Sequence, residues 1–136
     1  MEQEFNLLCI IDDDKLFRFG TKKLFQLKKY CNDFLIFKNG QEAYEHFSVA
    51  LEENLDLPEV ILLDINMPVM NGWQFLDSII KVKNAKKLQI LIVSSSVDHT
   101  DIKKAHNHPL VKDYITKPID LKKLKKICQL TKVKNL

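Results

Sequence analysis

The sequence lacks the features that mark a membrane-bound or secreted chain. No apolar run approaches the length of a bilayer span, and no signal-peptide pattern opens the chain. No membrane partner is expected, and a cytoplasmic location is. Cysteine is scarce. Cys9, Cys31 and Cys128 are odd in number and far apart, and Cys9 lies inside an apolar run. They suit neither a disulfide framework nor a zinc site, and read as reduced packing residues. Repeats, low-complexity segments and a linker to a second domain are also absent. The net charge of +3 is too small to name a partner. With 136 residues the chain is expected to form a single domain over 1–136 with no output domain. That is long enough to bury a core without disulfide or metal staples.

What the sequence does contain is organised around Val60 to Trp73, VILLDINMPVMNGW. Four apolar residues, Val60 to Leu63, deliver one carboxylate, Asp64, and the chain then turns through Met67-Pro68. A short apolar run between turn signals suits a strand buried on both faces. Asp64 would stand at its carboxyl end, where open α/β sheets bind ligands. An Asx-turn or helix cap is the structural alternative for a lone Asp.

Four other segments repeat the pattern. Phe5 to Ile11 is apolar apart from Asn6 and runs into Asp12-Asp13-Asp14. A helix from about Lys15 to Tyr30 follows, with Leu16, Gly20, Leu24 and Leu27 at helical spacing. Asp13 or Asp14 can cap it, which leaves two acids without a structural role. Phe34 to Phe37 is a second strand. Asn39-Gly40, often a hairpin signal, here leads into helical spacing at Ala43, Tyr44, Phe47 and Leu51. Leu76, Ile79 and Ile80 mark a third helix, ended by polar residues 83–87. Ile90 to Val93 is a fourth strand, followed by Ser94-Ser95-Ser96 and a short helix from about Asp98 that carries Ile102 and Ala105. Tyr114 to Thr116 is a fifth strand, ending in Lys117-Pro118. Asp120 caps a last helix, Leu121 to about Lys132, with Leu121, Leu124, Ile127 and Cys128 on its apolar face.

Strand-helix alternation repeated five times predicts an α/β fold. Its five-stranded parallel sheet carries helices on both faces, in the flavodoxin-like order 2-1-3-4-5. Four of the five strands end in polar residues: Asp12-Asp13, Asp64, Ser94 and Lys117. These ends would line one edge, with Asp12, Asp13 and Asp64 in one crevice at the topological switch point. Two carboxylates about 4 Å apart repel by roughly 4 kcal/mol at an effective dielectric constant of about 20. Such a cluster calls for cations. Lys117 is one, and Mg²⁺ is the expected second, because it takes oxygen ligands and leaves room for a phosphoryl group. A carboxylate nucleophile, a lysine, a hydroxyl and Mg²⁺ make a phosphoryl-transfer site.

At this point the residues carry a family resemblance. Ile10-Ile11-Asp12-Asp13-Asp14, Leu63-Asp64-Ile65-Asn66-Met67-Pro68 with Asn71-Gly72, Ile92-Val93-Ser94-Ser95, and Tyr114-Ile115-Thr116-Lys117-Pro118 occur in order. Together they resemble the receiver domain of two-component response regulators, of the stand-alone type typified by the chemotaxis response regulator. The resemblance spans Leu7 to about Leu130. It implies a phosphoacceptor that takes a phosphoryl group from a sensor histidine kinase and switches a protein-binding face, not an enzyme acting on a separate substrate. Asp64 would be the phosphoacceptor. Asp13, Asp64 and the backbone carbonyl of Asn66 would bind Mg²⁺, and Asp12 would hold it through water. Lys117 would pair with a phosphoryl oxygen, and its bond to Pro118 would be cis. Ser94 would move onto the phosphoryl group, and Tyr114 would then rotate inward. The target is an unknown protein, and the chain would be a monomer or a phosphorylation-dependent dimer.

The chain departs from the common pattern at Ser94 for Thr, Ser95 for Ala, Asn71 for Asp and Asp113 for Gly. None removes a reacting group. A phosphorelay intermediate, passing its phosphoryl group to a histidine phosphotransfer protein, is an alternative. A haloacid-dehalogenase-type phosphatase is a remote one: Asp12-x-Asp14 imitates that family's nucleophile motif but leaves Asp64 without a role. The lysines at 122, 123, 125, 126, 132 and 134 read as a solvated helix face or a protein-binding face, and no nucleic-acid partner is expected. His99, His106 and His108 lack supporting ligands for a metal site. Trp73 reads as a surface or helix-start aromatic.

Overall fold

The computed structural model describes residues 4–132. Five strands alternate with five helices. In order they are β1 (Leu8–Ile11), α1 (Lys15–Leu27), β2 (Phe34–Phe37), α2 (Gly40–Glu52), β3 (Val60–Leu63), α3 (Gly72–Ile79), β4 (Ile90–Ser94), α4 (His99–His106), β5 (Val111–Thr116) and α5 (Leu121–Lys132). The strands form one parallel sheet in the order β2-β1-β3-β4-β5, as the alternation predicts. A 3-10 turn, Ala85–Lys87, occupies the polar segment after α3.

Side chains alternate across the sheet and build two cores. Cys9, Ile11, Ile61, Leu63, Ile90 and Ile92 face α2, α3 and α4, where Phe47, Phe75, Leu76 and Ile79 are fully buried. Leu8, Ile10, Val60, Leu62, Leu91 and Val93 face α1 and α5, against Phe25, Leu124 and Ile127. All four residues of both β1 and β3 are buried, which is why they read as unbroken apolar runs. Cys9, Cys31 and Cys128 are all buried in these cores.

The helix starts follow from local side-chain chemistry. Asp14, Asn39, Asn71 and Asp98 each accept a backbone N–H of the first turn of α1, α2, α3 and α4. At α3 the exchange is reciprocal, with Gln74 reaching back to the Asn71 N–H. Asp120 accepts the Lys123 N–H at 2.9 Å and starts α5.

The apolar spacing misjudged the inner face of α1. Leu16 is 82% and Leu27 75% exposed, while Thr21 and Phe25 are buried. Two apolar stripes run along this helix, and the sheet takes the one carrying Phe25, the bulkier, which packs against Phe5. The other stripe, Leu16, Phe19 and Leu27, is left outside. Leu121 is likewise half exposed at the start of α5. The helix α1 also ends at Leu27 rather than near Tyr30, β1 begins at Leu8, and β5 extends back to Val111.

Lys122, Lys125 and Lys126 are exposed on α5, whereas Lys123 turns back to the Thr116 and Pro118 carbonyls. The Lys132 side chain and Lys134 lie outside the described residues. Among the described residues no helix is long and apolar enough to cross a membrane.

Candidate phosphoryl-transfer site

Strand register brings the polar strand ends together. Ile11 pairs with Leu63, so Asp12 and Asp64 leave adjacent strands at one level. Their N–H groups continue the ladder, Asp12 to the Phe37 carbonyl at 3.0 Å and Asp64 to the Ile11 carbonyl at 2.9 Å. Ser94 pairs with Thr116, and the Lys117 N–H then donates to the Ser94 carbonyl at 2.9 Å. The Lys117–Pro118 peptide is cis.

Asp12, Asp13 and Asp64 each offer a carboxylate oxygen, and these atoms lie within 4.8 Å of one another. Asp12 and Asp64 are buried, and Asp13 is exposed at the mouth. Lys117 Nζ stands 2.8 Å from Asp12 Oδ2 and 3.7 Å from Asp64 Oδ2. The Phe17 ring lies 4.4 Å from the same ammonium and closes its outer side. Arg18 donates to the Asp12 carbonyl at 2.8 Å and ties α1 to the end of β1.

One lysine does not balance three carboxylates. Burial pushes the Asp64 carboxyl above the usual carboxylate range, against the pull of Lys117, the Asn66 and Ile65 N–H groups and the Ser94 hydroxyl. Burial likewise raises Asp12, against Lys117 and the Asp14 N–H, with the Asp64 charge adding to the rise. Asp12 Oδ2 is buried and accepts no well-aligned hydrogen bond, although Lys117 is close. An all-oxygen donor set with surplus negative charge and an under-satisfied buried oxygen fits a hard divalent cation. It can also hold a phosphoryl group between Asp64, Ser94 and Lys117.

The remaining candidates fall into place around this cleft. Asn66 is exposed just past Asp64, with its N–H on the Asp64 side chain. Ser94 is fully buried, and its Oγ accepts the Ser96 N–H at 3.2 Å. Tyr114 already stands inward. It is 8% exposed, and its hydroxyl donates to the Ser96 carbonyl at 2.7 Å. Asp14 is an exposed helix cap, so Asp12-x-Asp14 is not a catalytic pair here. His106 faces Asp113 at 3.5 Å instead of other histidines.

Sequence reasoning missed Phe17, Arg18 and Asp101. Phe17 and Arg18 lie on the first turn of α1, and only the helix's true rotation turns them to the site. Asp101 accepts the Ser96 hydroxyl at 2.9 Å and the Trp73 indole N–H at 3.3 Å. Nothing in the local sequence pairs residues 28 positions apart.

Comparison with known proteins agrees with this fold. The response regulator receiver domain family matches residues 8–129. The nitrate/nitrite response regulator protein NarL of Escherichia coli K12 is 32% identical over 123 residues, covering 89% of this chain and 53% of NarL. The chain therefore spans about half the length of that relative. Protein PilH of Pseudomonas aeruginosa is 30% identical over 113 residues, covering 83% of this chain and 86% of PilH. The crystal structure of a two-component response regulator from Cytophaga hutchinsonii superposes with a TM-score of 0.84 at 27% identity. That match covers 97% of this chain and 98% of the other.

Proposed function

The chain belongs to the response regulator receiver domain family, a family of phosphoacceptor signalling domains, and from that premise we propose that Asp64 is its phosphoacceptor. The donor is a phosphohistidine on a sensor histidine kinase, and the protein works in the cytoplasm. The observation that carries this reading is the convergence of Lys117 and Ser94 on the Asp64 carboxylate at the end of the central strand.

The Asp64 carboxylate attacks phosphorus. An O–P bond forms, the donor's P–N bond breaks, and the electron pair leaves with the imidazole, which takes a proton. Asp64 must be ionised to do this. Burial opposes that, while Lys117, Ser94 and the Asn66 and Ile65 N–H groups favour it. The Lys117 ammonium, now nearest Asp12, is placed to accompany the charge that arrives on the phosphoryl oxygens. Asp12, Asp13, Asp64 and the Asn66 backbone would hold Mg²⁺, which when bound offsets carboxylate repulsion and supports transfer. Ser94 hydrogen-bonds the new phosphoryl group, and the inward Tyr114 reports the change to the face formed by α4, β5 and α5.

The exposed Leu16, Phe19 and Leu27 stripe runs along α1, whose first turn borders this cleft through Phe17 and Arg18, and offers an apolar seat for a donor helix. The test is transfer from a labelled, autophosphorylated histidine kinase domain. Label should move to the wild-type chain and not to Asp64→Asn. Label retained by Asp64→Asn would overturn the assignment.

A further inference from the structure

A run of polar contacts leads from the phosphoacceptor's neighbour Ser94 to the opposite side of the β4–α4 loop. The Ser94 hydroxyl is close enough to the Asp64 carboxylate to favour its charge, and it accepts the Ser96 N–H at 3.2 Å. Ser96 is then gripped three more times. Its hydroxyl donates to Asp101 Oδ2 at 2.9 Å and accepts the Asp98 N–H at 3.3 Å, and its carbonyl accepts the Tyr114 hydroxyl at 2.7 Å. Asp101 is itself held. Its Oδ1 accepts the Trp73 indole N–H at 3.3 Å, and Lys104 lies over the Trp73 ring at 4.5 Å. Trp73 is on α3 and Asp101 on α4, so one carboxylate fastens two helices and the switch loop together.

From this we propose that Asp101 is a positioning residue for phosphorylation: braced by Trp73, it fixes Ser96 so that the loop stays in the arrangement that admits Tyr114 inward and presents the Ser94 hydroxyl to a phosphorylated Asp64. The inference rests on the reading of Asp64 as phosphoacceptor. As Ser94 moves onto the phosphoryl group, Ser96 is kept in place by its other polar atoms: its hydroxyl by Asp101 and the Asp98 N–H, its carbonyl by Tyr114. Of these holds the charged one is Asp101, and Trp73 braces it from α3. A loop freed of Asp101 must be ordered at the moment of phosphorylation, and that ordering cost lowers the affinity of the site for its phosphoryl group.

Asp101 also lies in the first turn of α4, where any acid favours the helix start. Trp73→Phe separates the two roles. It deletes the indole N–H, keeps a ring under Lys104 and leaves the charge of Asp101 in place.

The experiment is calorimetric titration of beryllium fluoride, a phosphoryl mimic, into wild type, Asp101→Ala and Trp73→Phe at saturating Mg²⁺, with Mg²⁺ titrated alone in parallel. Wild type should bind the mimic. Asp101→Ala should bind it about three- to tenfold more weakly and Trp73→Phe about two- to fivefold more weakly, the loss expected for partly exposed hydrogen bonds to a charged group. Mg²⁺ affinity should be the same in all three, since Asp12, Asp13 and Asp64 are untouched. Wild-type mimic affinity in both variants, or a loss confined to Asp101→Ala, would overturn the positioning role. If Asp101→Ala does not fold, Trp73→Phe decides alone. Failure of wild type itself to bind the mimic would instead sink the phosphoacceptor reading.

Discussion

Gly72 backs directly onto Asp64: a Cβ placed on Gly72 would stand 2.5 Å from the Asp64 carbonyl oxygen and 2.7 Å from the Ile65 Cα. Both obstacles are backbone, so neither can swing aside. The Gly72 N–H also donates to the Ile65 carbonyl at 3.1 Å, which folds the loop after β3 tightly under the start of α3. Gly72→Ala should therefore cost about 2–3 kcal/mol of stability, as overpacking does, and should displace the Asp64 backbone. Urea denaturation measures the first effect. Mg²⁺ affinity measures the second and should fall along with it.

The buried carboxylates set a pH dependence. Asp12 and Asp64 both have raised carboxyl pKa values in the folded protein, chiefly through burial. Between the unfolded value of about 4 and the raised folded value, the folded chain binds more protons than the unfolded one. Stability therefore declines as pH rises through that window, and the penalty is absent below about pH 4. Asp64→Asn removes one of the two charges, and Lys117 keeps Asp12 as a partner at 2.8 Å. In metal-free buffer the substitution should raise unfolding free energy at pH 7 by about 1–2 kcal/mol. The gain should shrink toward zero as the pH approaches 4. Urea titrations of both proteins at the two pH values give the comparison.

The same repulsion predicts stabilisation by a divalent cation. Mg²⁺ at about a hundred times its dissociation constant should add about 2.7 kcal/mol if only the folded state binds it. Asp13 is the exposed member of the cluster, so Asp13→Asn should leave the metal-free protein nearly as stable while removing most of that increment. Thermal melts with and without Mg²⁺ check both statements.

Phe19 is 62% exposed on the outward stripe of α1 and contributes nothing to the core. Phe19→Glu should slow transfer from a phosphorylated histidine kinase by about tenfold or more, the scale of an interface anchor. It should leave phosphorylation by acetyl phosphate unchanged, because a small donor needs no docking surface. Parallel rates from the two donors separate the effects.

The sheet order and the cluster of Asp12, Asp13, Asp64, Ser94 and Lys117 were legible because each residue follows an apolar run and parallel register does the rest. The inner face of α1 was not. Leu16, Leu24 and Leu27 have helical spacing, but so do Phe17, Thr21, Leu24 and Phe25, and only packing on the sheet chooses between two apolar stripes. The Tyr114–Ser96 hydrogen bond and the Asp101–Trp73 contact were also out of reach. Each joins residues from different strand-helix units by side-chain geometry, which no periodicity encodes.

The most direct test of Asp64 as phosphoacceptor is intact mass after incubation with acetyl phosphate or phosphoramidate and Mg²⁺. Wild type should gain one labile phosphoryl group. Asp64→Asn should gain none, and a chelator should abolish the gain. A phosphoryl group carried equally by Asp64→Asn, or no gain from either small donor and none from histidine kinases, would contradict it.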